Sequence, residues 1–293
     1  MDNFIVLYNP LAGNGTAQDK MRELESLMQG DRLYFSNMLD IRDYGAFFND
    51  MPDGASIIIC GGDGTLNRFL NDTEDIRPDC DIYYYPSGSG NDFARDIGAE
   101  RGAPPVLINR YIERLPKICV NGKEHRFING IGYGIDGYCC EKGDELRGKG
   151  NGEVNYTAIA IKGLLFHYKP TGATITVDGV EHRFEKVWLA PTMIGRYYGG
   201  GMMPTPEQDR LNGDGAVSVT AYYGSGKLKS LAVFPSIFKG EHIKHSEMVA
   251  VLSGRNITVC FDEPRPLQID GETVPGVREY SVTACEEKVL QPA

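Results

Sequence analysis

Short apolar runs separated by glycine-rich turns dominate the first third of the chain. Residues 3–8 read as a first buried strand, and 57–60 form a continuous apolar run, the pattern of a strand covered on both faces in a parallel sheet. Between them the period becomes helical. Met21, Leu24, Leu27 and Met28 fall on one face, with Thr16 placed to cap the start and Gly30 to close the end. Residues 33–35 predict a second strand and 44–48 part of a second helix. Residues 81–86 predict a further strand, which leads through a serine- and glycine-rich turn into a helical start at Phe93-Ala94-Arg95. Strand alternating with helix predicts a doubly wound parallel sheet, with any ligand at the carboxyl ends of its strands.

After about Pro116 the texture changes. Apart from a helix predicted over 156–166, the segments are short, β-rich and punctuated by glycine: 117–120, 173–177, 186–190, 216–222, 256–261 and 279–285. Regular short strands predict an antiparallel sandwich. The fold class is therefore α/β plus β. An α/β nucleotide-binding domain is expected over 1–118 and a β-sandwich domain over 119–293, whose last residues are free to return to the first. Residues 144–152 read as a polar mobile loop.

Composition narrows the partners. The 293 residues are 41% hydrophobic and 24% charged, a globular chain with a real core. A net charge of −10 argues against nucleic acid. No secretory leader follows Met1 and no run of eighteen apolar residues occurs, so a cytoplasmic protein without a transmembrane segment is expected. Seven cysteines without a C-x-x-C pair read as reduced thiols and no zinc site.

The candidate chemistry lies in three strand-to-helix turns: Asn9-Pro10 through Gly13, Gly61-Gly62-Asp63-Gly64-Thr65-Leu66-Asn67, and Ser87-Gly88-Ser89-Gly90-Asn91-Asp92. Gly61, Gly62 and Gly64 are expected to take backbone angles closed to other residues, letting a polyanion reach main-chain N–H groups. Thr65 is placed to cap a helix whose positive end faces the same point. Asp63 sits among these donors. A carboxylate beside phosphates is repulsive unless a cation intervenes or it serves the chemistry, which points to a magnesium-nucleotide site. The bland reading is a Gly-Asp-Gly turn that only joins strand to helix. Convergence of three such turns on one rim favours the phosphate reading.

Other motifs fail. Gly143 to Lys149 nearly fits a P-loop, but Gly150 replaces the hydroxyl residue. His242 and His245 read as surface residues, and Thr-Met-Ile-Gly195-Arg is no nucleophile elbow. Asp270-Gly271 and Asp214-Gly215 are each hairpin signals first, and Gly199-Gly200-Gly201 reads as a flexible turn.

Taken in order, the motifs resemble the diacylglycerol kinase catalytic family, in particular the soluble bacterial lipid kinases related to sphingosine and ceramide kinases. The pieces are Tyr8-Asn9-Pro10 with Gly13; Gly61 to Asn67; Pro86 to Arg95; Tyr197-Tyr198-Gly199-Gly200-Gly201-Met202; and Asp270-Gly271-Glu272. The resemblance implies ATP and Mg2+ as cofactors. It also implies phosphoryl transfer to a lipid hydroxyl, diacylglycerol first, in a cleft between two domains. It assigns Asn9, Pro10, Gly13, Gly61, Gly62, Asp63, Gly64, Thr65, Asn67, Ser89, Asn91, Asp92 and Glu272 to the nucleotide, and Asp63 and Asp270 to catalysis. Asp63 and Asp214 are its implied metal ligands, Asp214 for a structural magnesium. It further implies a lipid substrate met transiently at a membrane surface, and it is compatible with a homodimer. Arg68 departs from the family, which places Glu there. The alternatives are a kinase of a soluble hydroxyl substrate such as NAD, and a catalytically silent nucleotide-binding relative.

Overall fold

The computed structural model describes residues 2–10, 17–76, 78–88, 90–148 and 156–285. The chain divides into two compact units, Met1–Glu113 and Arg114–Ala293.

In the first unit, β1 (Asn3–Tyr8), α1 (Ala17–Leu27), β2 (Arg32–Asn37), α2 (Tyr44–Asn49), β3 (Ser56–Gly61), α3 (Asp63–Asp72), β4 (Ile82–Pro86), α4 (Asp92–Ile97), β5 (Val106–Leu107) and α5 (Asn109–Ile112) follow in order. The sheet runs β2-β1-β3-β4-β5, parallel except for β5 at the edge. That antiparallel edge is a departure from the expected parallel sheet: only two residues long, it carries no periodicity to read. Phe4, Val6, Leu24, Ile58, Cys60 and Tyr85 form one core cluster. α3 buries Thr65, Leu66, Phe69 and Leu70 along one stripe, as helical spacing requires. The expected cap Thr16 lies outside the described residues.

The second unit contains β6 (Lys117–Val120), β7 (Lys123–Arg126), β8 (Gly130–Tyr133), α6 (Ile135–Gly148), α7 (Tyr156–Lys162), β9 (Thr171–Val177), β10 (Val180–Val187), β11 (Thr192–Met193), β12 (Val217–Tyr222), α8 (Lys227–Val233), β13 (Val249–Gly254), β14 (Asn256–Ile269) and β15 (Glu272–Thr283). Its described strands pair antiparallel in the order β13-β12-β11-β8-β14-β15-β6-β7, with β9 and β10 branching from β14. The branch explains the sandwich-like form. β14 offers residues 257–261 to β9 and 267–269 to β8, and the irregularities between Cys260 and Leu267 bend it from one layer to the other.

Several expectations are corrected here. β14 continues beyond the expected 256–261 through Glu263-Pro264-Arg265-Pro266; bulged pairing tolerates both prolines. Residues 144–148 are the last turn of α6, not a loop, and 149–152 lie outside the described residues. The predicted helix over 156–166 ends at Lys162 and widens into a π-helical turn, Gly163–His167. A Cβ on Gly163 would approach the Tyr138 ring to 2.9 Å, so no larger side chain fits there unless that ring moves. His242 is buried, with Nε2 3.0 Å from the Pro204 carbonyl, and is not a surface residue.

Candidate active site

Strand register brings the three turns of the first unit together. Tyr8 pairs with Cys60 and Cys60 with Tyr85, so these residues form one rung across β1, β3 and β4. The chain leaves each strand within one or two residues of that rung: at Asn9-Pro10, at Gly61-Gly62 and at Ser87. Apolar runs of nearly equal phase therefore place three turns at the carboxyl ends of neighbouring strands, the position where open α/β sheets bind ligands.

The turns are locked to each other by Asp63. Its Oδ2 accepts the Asp92 N–H at 2.9 Å and its Oδ1 the Phe93 N–H at 2.9 Å, so one carboxylate caps α4 from a different element. Asn91, which begins α4 with a left-handed backbone (φ 52), uses its side chain inside its own loop. Oδ1 accepts from Gly88 N–H at 3.0 Å and Nδ2 donates to the Gly88 carbonyl at 2.8 Å. Ser87 N–H donates to the Gly61 carbonyl at 2.9 Å. The second and third turns form one hydrogen-bonded body.

The glycines work by close approach, not by unusual backbone angles. Gly61, Gly62 and Gly64 are absent from the positive-φ residues, which corrects the expectation above. A Cβ on Gly61 would meet the Thr65 side chain at 2.4 Å, and one on Gly88 would meet Gly62 Cα at 2.4 Å. Gly64 is exposed with nothing within 4 Å of such a Cβ. No neighbour within the fold requires a glycine there. Thr65 is corrected too. The N-cap of α3 is Gly62, which makes no side-chain capping bond, while Thr65 is buried within the first turn. An uncapped helix start beside an open glycine fits a phosphate group. Asn67 bonds along its own helix to Asn71, and Arg68 reaches Asp72 at 3.3 Å on the exposed face of α3. Gly13 and Ser89 lie outside the described residues.

In the second unit Asp270 and Gly271 form the two-residue turn of the β14–β15 hairpin, both with positive φ (46° and 98°), the signature of a type I′ turn. The hairpin signal and the chemical signal are thus the same residues. Asp270 Oδ2 accepts the Ile128 N–H at 2.6 Å, and Oδ1 accepts those of Asn129 and Gly130 at 2.9 and 3.0 Å. Three consecutive amides fix the carboxylate in one orientation. Arg210 holds that segment in turn, donating to the Ile128 carbonyl at 2.9 Å and to Asn129 Oδ1 at 3.3 Å. Gln268 accepts the Gly271 N–H at 2.6 Å. Glu272 is exposed at the start of β15, opposite Ile269.

Asp214, the implied ligand of a structural magnesium, lies in a turn held by backbone and arginine contacts. Its Oδ1 accepts the Ala216 N–H at 3.1 Å, its carbonyl is taken by Arg255, and the carbonyl of Gly213 faces Arg114 at 3.4 Å. Two guanidinium cations stand on this turn. Among the described residues no group of three or more His, Cys, Asp or Glu side chains is arranged to hold a metal.

Sequence reasoning missed the supporting layer. Asp136 is buried and accepts a hydrogen bond from the Tyr198 hydroxyl, and burial pushes its carboxyl up to about 6 although that bond pulls the other way. Tyr198 opens the Gly199-Gly200-Gly201 turn, where three successive positive φ values admit only glycine without strain. The signal for this layer was the glycine spacing at 130, 132, 134 and 137. A Cβ on Gly132 would strike Gln268 and Asp136 at 2.6 and 2.7 Å, and one on Gly137 the Pro266 carbonyl at 2.0 Å.

Comparison with known proteins finds a match for each part of the chain. Residues 3–117 match the diacylglycerol kinase catalytic domain, and residues 129–286 match the YegS C-terminal NAD kinase beta sandwich-like domain. A diacylglycerol kinase of Mycobacterium tuberculosis is 27% identical over 246 residues, 81% of this chain and 77% of the relative. A diacylglycerol kinase of Bacillus subtilis is 28% identical over 224 residues, 74% of this chain and 70% of the relative. The crystal structure of a diacylglycerol kinase from Bacillus anthracis str. Sterne superposes with a TM-score of 0.59 over 97% of this chain and 94% of that chain. At 19% identity that likeness shows the fold alone.

Proposed function

We propose that this chain, which belongs to the diacylglycerol kinase-like lipid kinase family with a YegS C-terminal beta sandwich-like domain, transfers the γ-phosphoryl of ATP to the free hydroxyl of diacylglycerol. The enzyme class, a lipid kinase phosphotransferase, follows from the catalytic-domain match. Diacylglycerol as the acceptor is supported by relatives described as diacylglycerol kinases.

The observation that carries the reading is the rung Tyr8–Cys60–Tyr85, from which three turns leave together, two of them bonded through Asp63. The triphosphate is assigned to Asn9, Pro10, Gly62, Gly64, the start of α3 and, beyond the described residues, Gly13 and Ser89. Bound Mg2+ would neutralise phosphoryl charge, and Asp63 is the carboxylate we assign to it, because it stands at the start of α3 on the turn that follows β3. Asp270 accepts the proton of the attacking hydroxyl. An alcohol is a weak nucleophile at neutral pH, and the three amides under Asp270 hold its carboxylate in one orientation, ready to receive that proton.

The test is transfer of label from γ-labelled ATP to a panel holding diacylglycerol, phosphatidylglycerol, a sphingoid base and, as the soluble arm, NAD. Label should enter the organic phase, most strongly with diacylglycerol. Label found only on NAD would assign the soluble reaction, and ATP turnover indifferent to every acceptor would remove the kinase reading.

A further inference from the structure

No described helix is long and apolar enough to cross a membrane. Yet the two most exposed of the second unit's large apolar side chains, Leu228 and Phe166, lie on neighbouring segments. Phe166 is 73% exposed, Leu228 80% and Ile161 43%. These belong to two segments that lie side by side: Lys227 Nζ donates to the Leu165 carbonyl at 2.8 Å, joining α8 to the π-helical turn. Both segments turn their other faces inward, since Ile159 and Ala160 of α7 and Leu231 and Val233 of α8 pack on the same core around Trp188. Ile161, Phe166 and Leu228 are therefore what these segments present outward. A π-helical turn is rare and occurs chiefly at functional positions.

The charge around this face opposes that of the whole molecule. Lys162 follows Ile161, Lys227 precedes Leu228 and Lys169 stands three residues after Phe166, and no described carboxylate pairs with them, while the net charge of the chain is −10. The neighbouring acids are already engaged: Glu247 with Lys229 at 2.8 Å, and Glu263 with Arg265 at 2.9 Å. Protruding apolar side chains flanked in sequence by lysine match a bilayer of anionic lipid, whose interface takes the rings and branched chains while its head groups attract the ammonium ions. We propose that Phe166, Leu228 and Ile161, with Lys162, Lys169 and Lys227, form the surface by which this protein docks on an anionic membrane. This deepens the lipid-kinase reading, on which it rests for its purpose but not for its chemistry.

The full chain is sedimented with phosphatidylcholine vesicles lacking or holding about 30% phosphatidylglycerol. Phe166→Ser with Leu228→Ser should lower partition onto the anionic vesicles about tenfold or more. Lys162→Gln with Lys169→Gln should lower it about fivefold there and leave the neutral vesicles unaffected. Both variants should keep the native unfolding midpoint and native phosphorylation of a detergent-dispersed lipid alcohol, because all four residues are exposed. Unchanged vesicle partition in both variants would overturn the proposal. So would a serine variant that only converts a dimer to a monomer, which would make the face a contact between two copies of this chain. A parent chain that docks through these residues but phosphorylates no lipid alcohol would uphold the surface and remove the kinase reading.

Discussion

The first and second units each hold a key carboxylate with backbone amides, but over very different distances along the chain. Asp63 caps residues 29 and 30 positions away, in the next strand-turn-helix repeat. Asp270 is gripped by amides 140 to 142 positions earlier. The first arrangement follows from local pattern plus a parallel register. The second exists only once β14 has paired with β8. The setting of the first carboxylate is thus built by repetition of a short motif, and that of the second by sheet closure.

That contrast can be broken in graded steps. Gly88→Ala should have the largest effect on the first unit, because the new Cβ would stand 2.4 Å from Gly62 Cα and no flexible side chain is available to yield. A loss of about 1–3 kcal/mol in urea unfolding is expected, with ATP affinity weakened by tenfold or more as the two turns separate. Asp63→Asn keeps the shape but turns an NH2 group toward one of the two amides of α4. Its expected cost is about 1–3 kcal/mol, read by the same unfolding experiment, together with a large fall in ATP turnover.

Asp136 sharpens the comparison on the side of the second unit. Its folded pKa of about 6 lies above the ordinary aspartate value, so the folded chain keeps a proton that the unfolded chain releases first. Stability from this group is full only below about pH 3.8 and is lost as the pH rises through about 6, by at most roughly 3 kcal/mol. Asp136→Asn should remove that slope. The variant should match the parent below about pH 3.8 and exceed it above about pH 6 in a series of unfolding curves. Arg68→Ala should do least. The Arg68–Asp72 pair is half-exposed, and its loss should change stability by about 0.5 kcal/mol or less and leave ATP affinity within about twofold.

The two regions also differ in how far they could be read in advance. Residues 57–67 announce a strand, a turn and a helix by apolar run, glycine and renewed helical spacing, and that is how they fold. What the local pattern misassigned was cause: the glycines at 61 and 62 are small because Thr65 and Gly88 press on them, a contact that needs the third dimension. In the second unit Asp270-Gly271 is recognisable as a hairpin, and the family resemblance marks it as chemical. Its cradle at 128–130, the Arg210 brace and the Asp136–Tyr198 bond join residues 62 to 142 positions apart. No periodicity encodes such pairings. β14 was read as six residues instead of fourteen for a related reason, since its two prolines look like a turn until the bulges that accommodate them are seen.

The central claim is that the first unit holds the nucleotide while Asp270 of the second accepts the proton. The most direct measurement is single-turnover transfer by Asp270→Asn, with ATP affinity and unfolding midpoint taken on the same preparation. The rate should fall about 10²–10⁴-fold while ATP affinity stays within about twofold. Undiminished transfer, or transfer that returns in full wherever the variant is as folded as its parent, would contradict it.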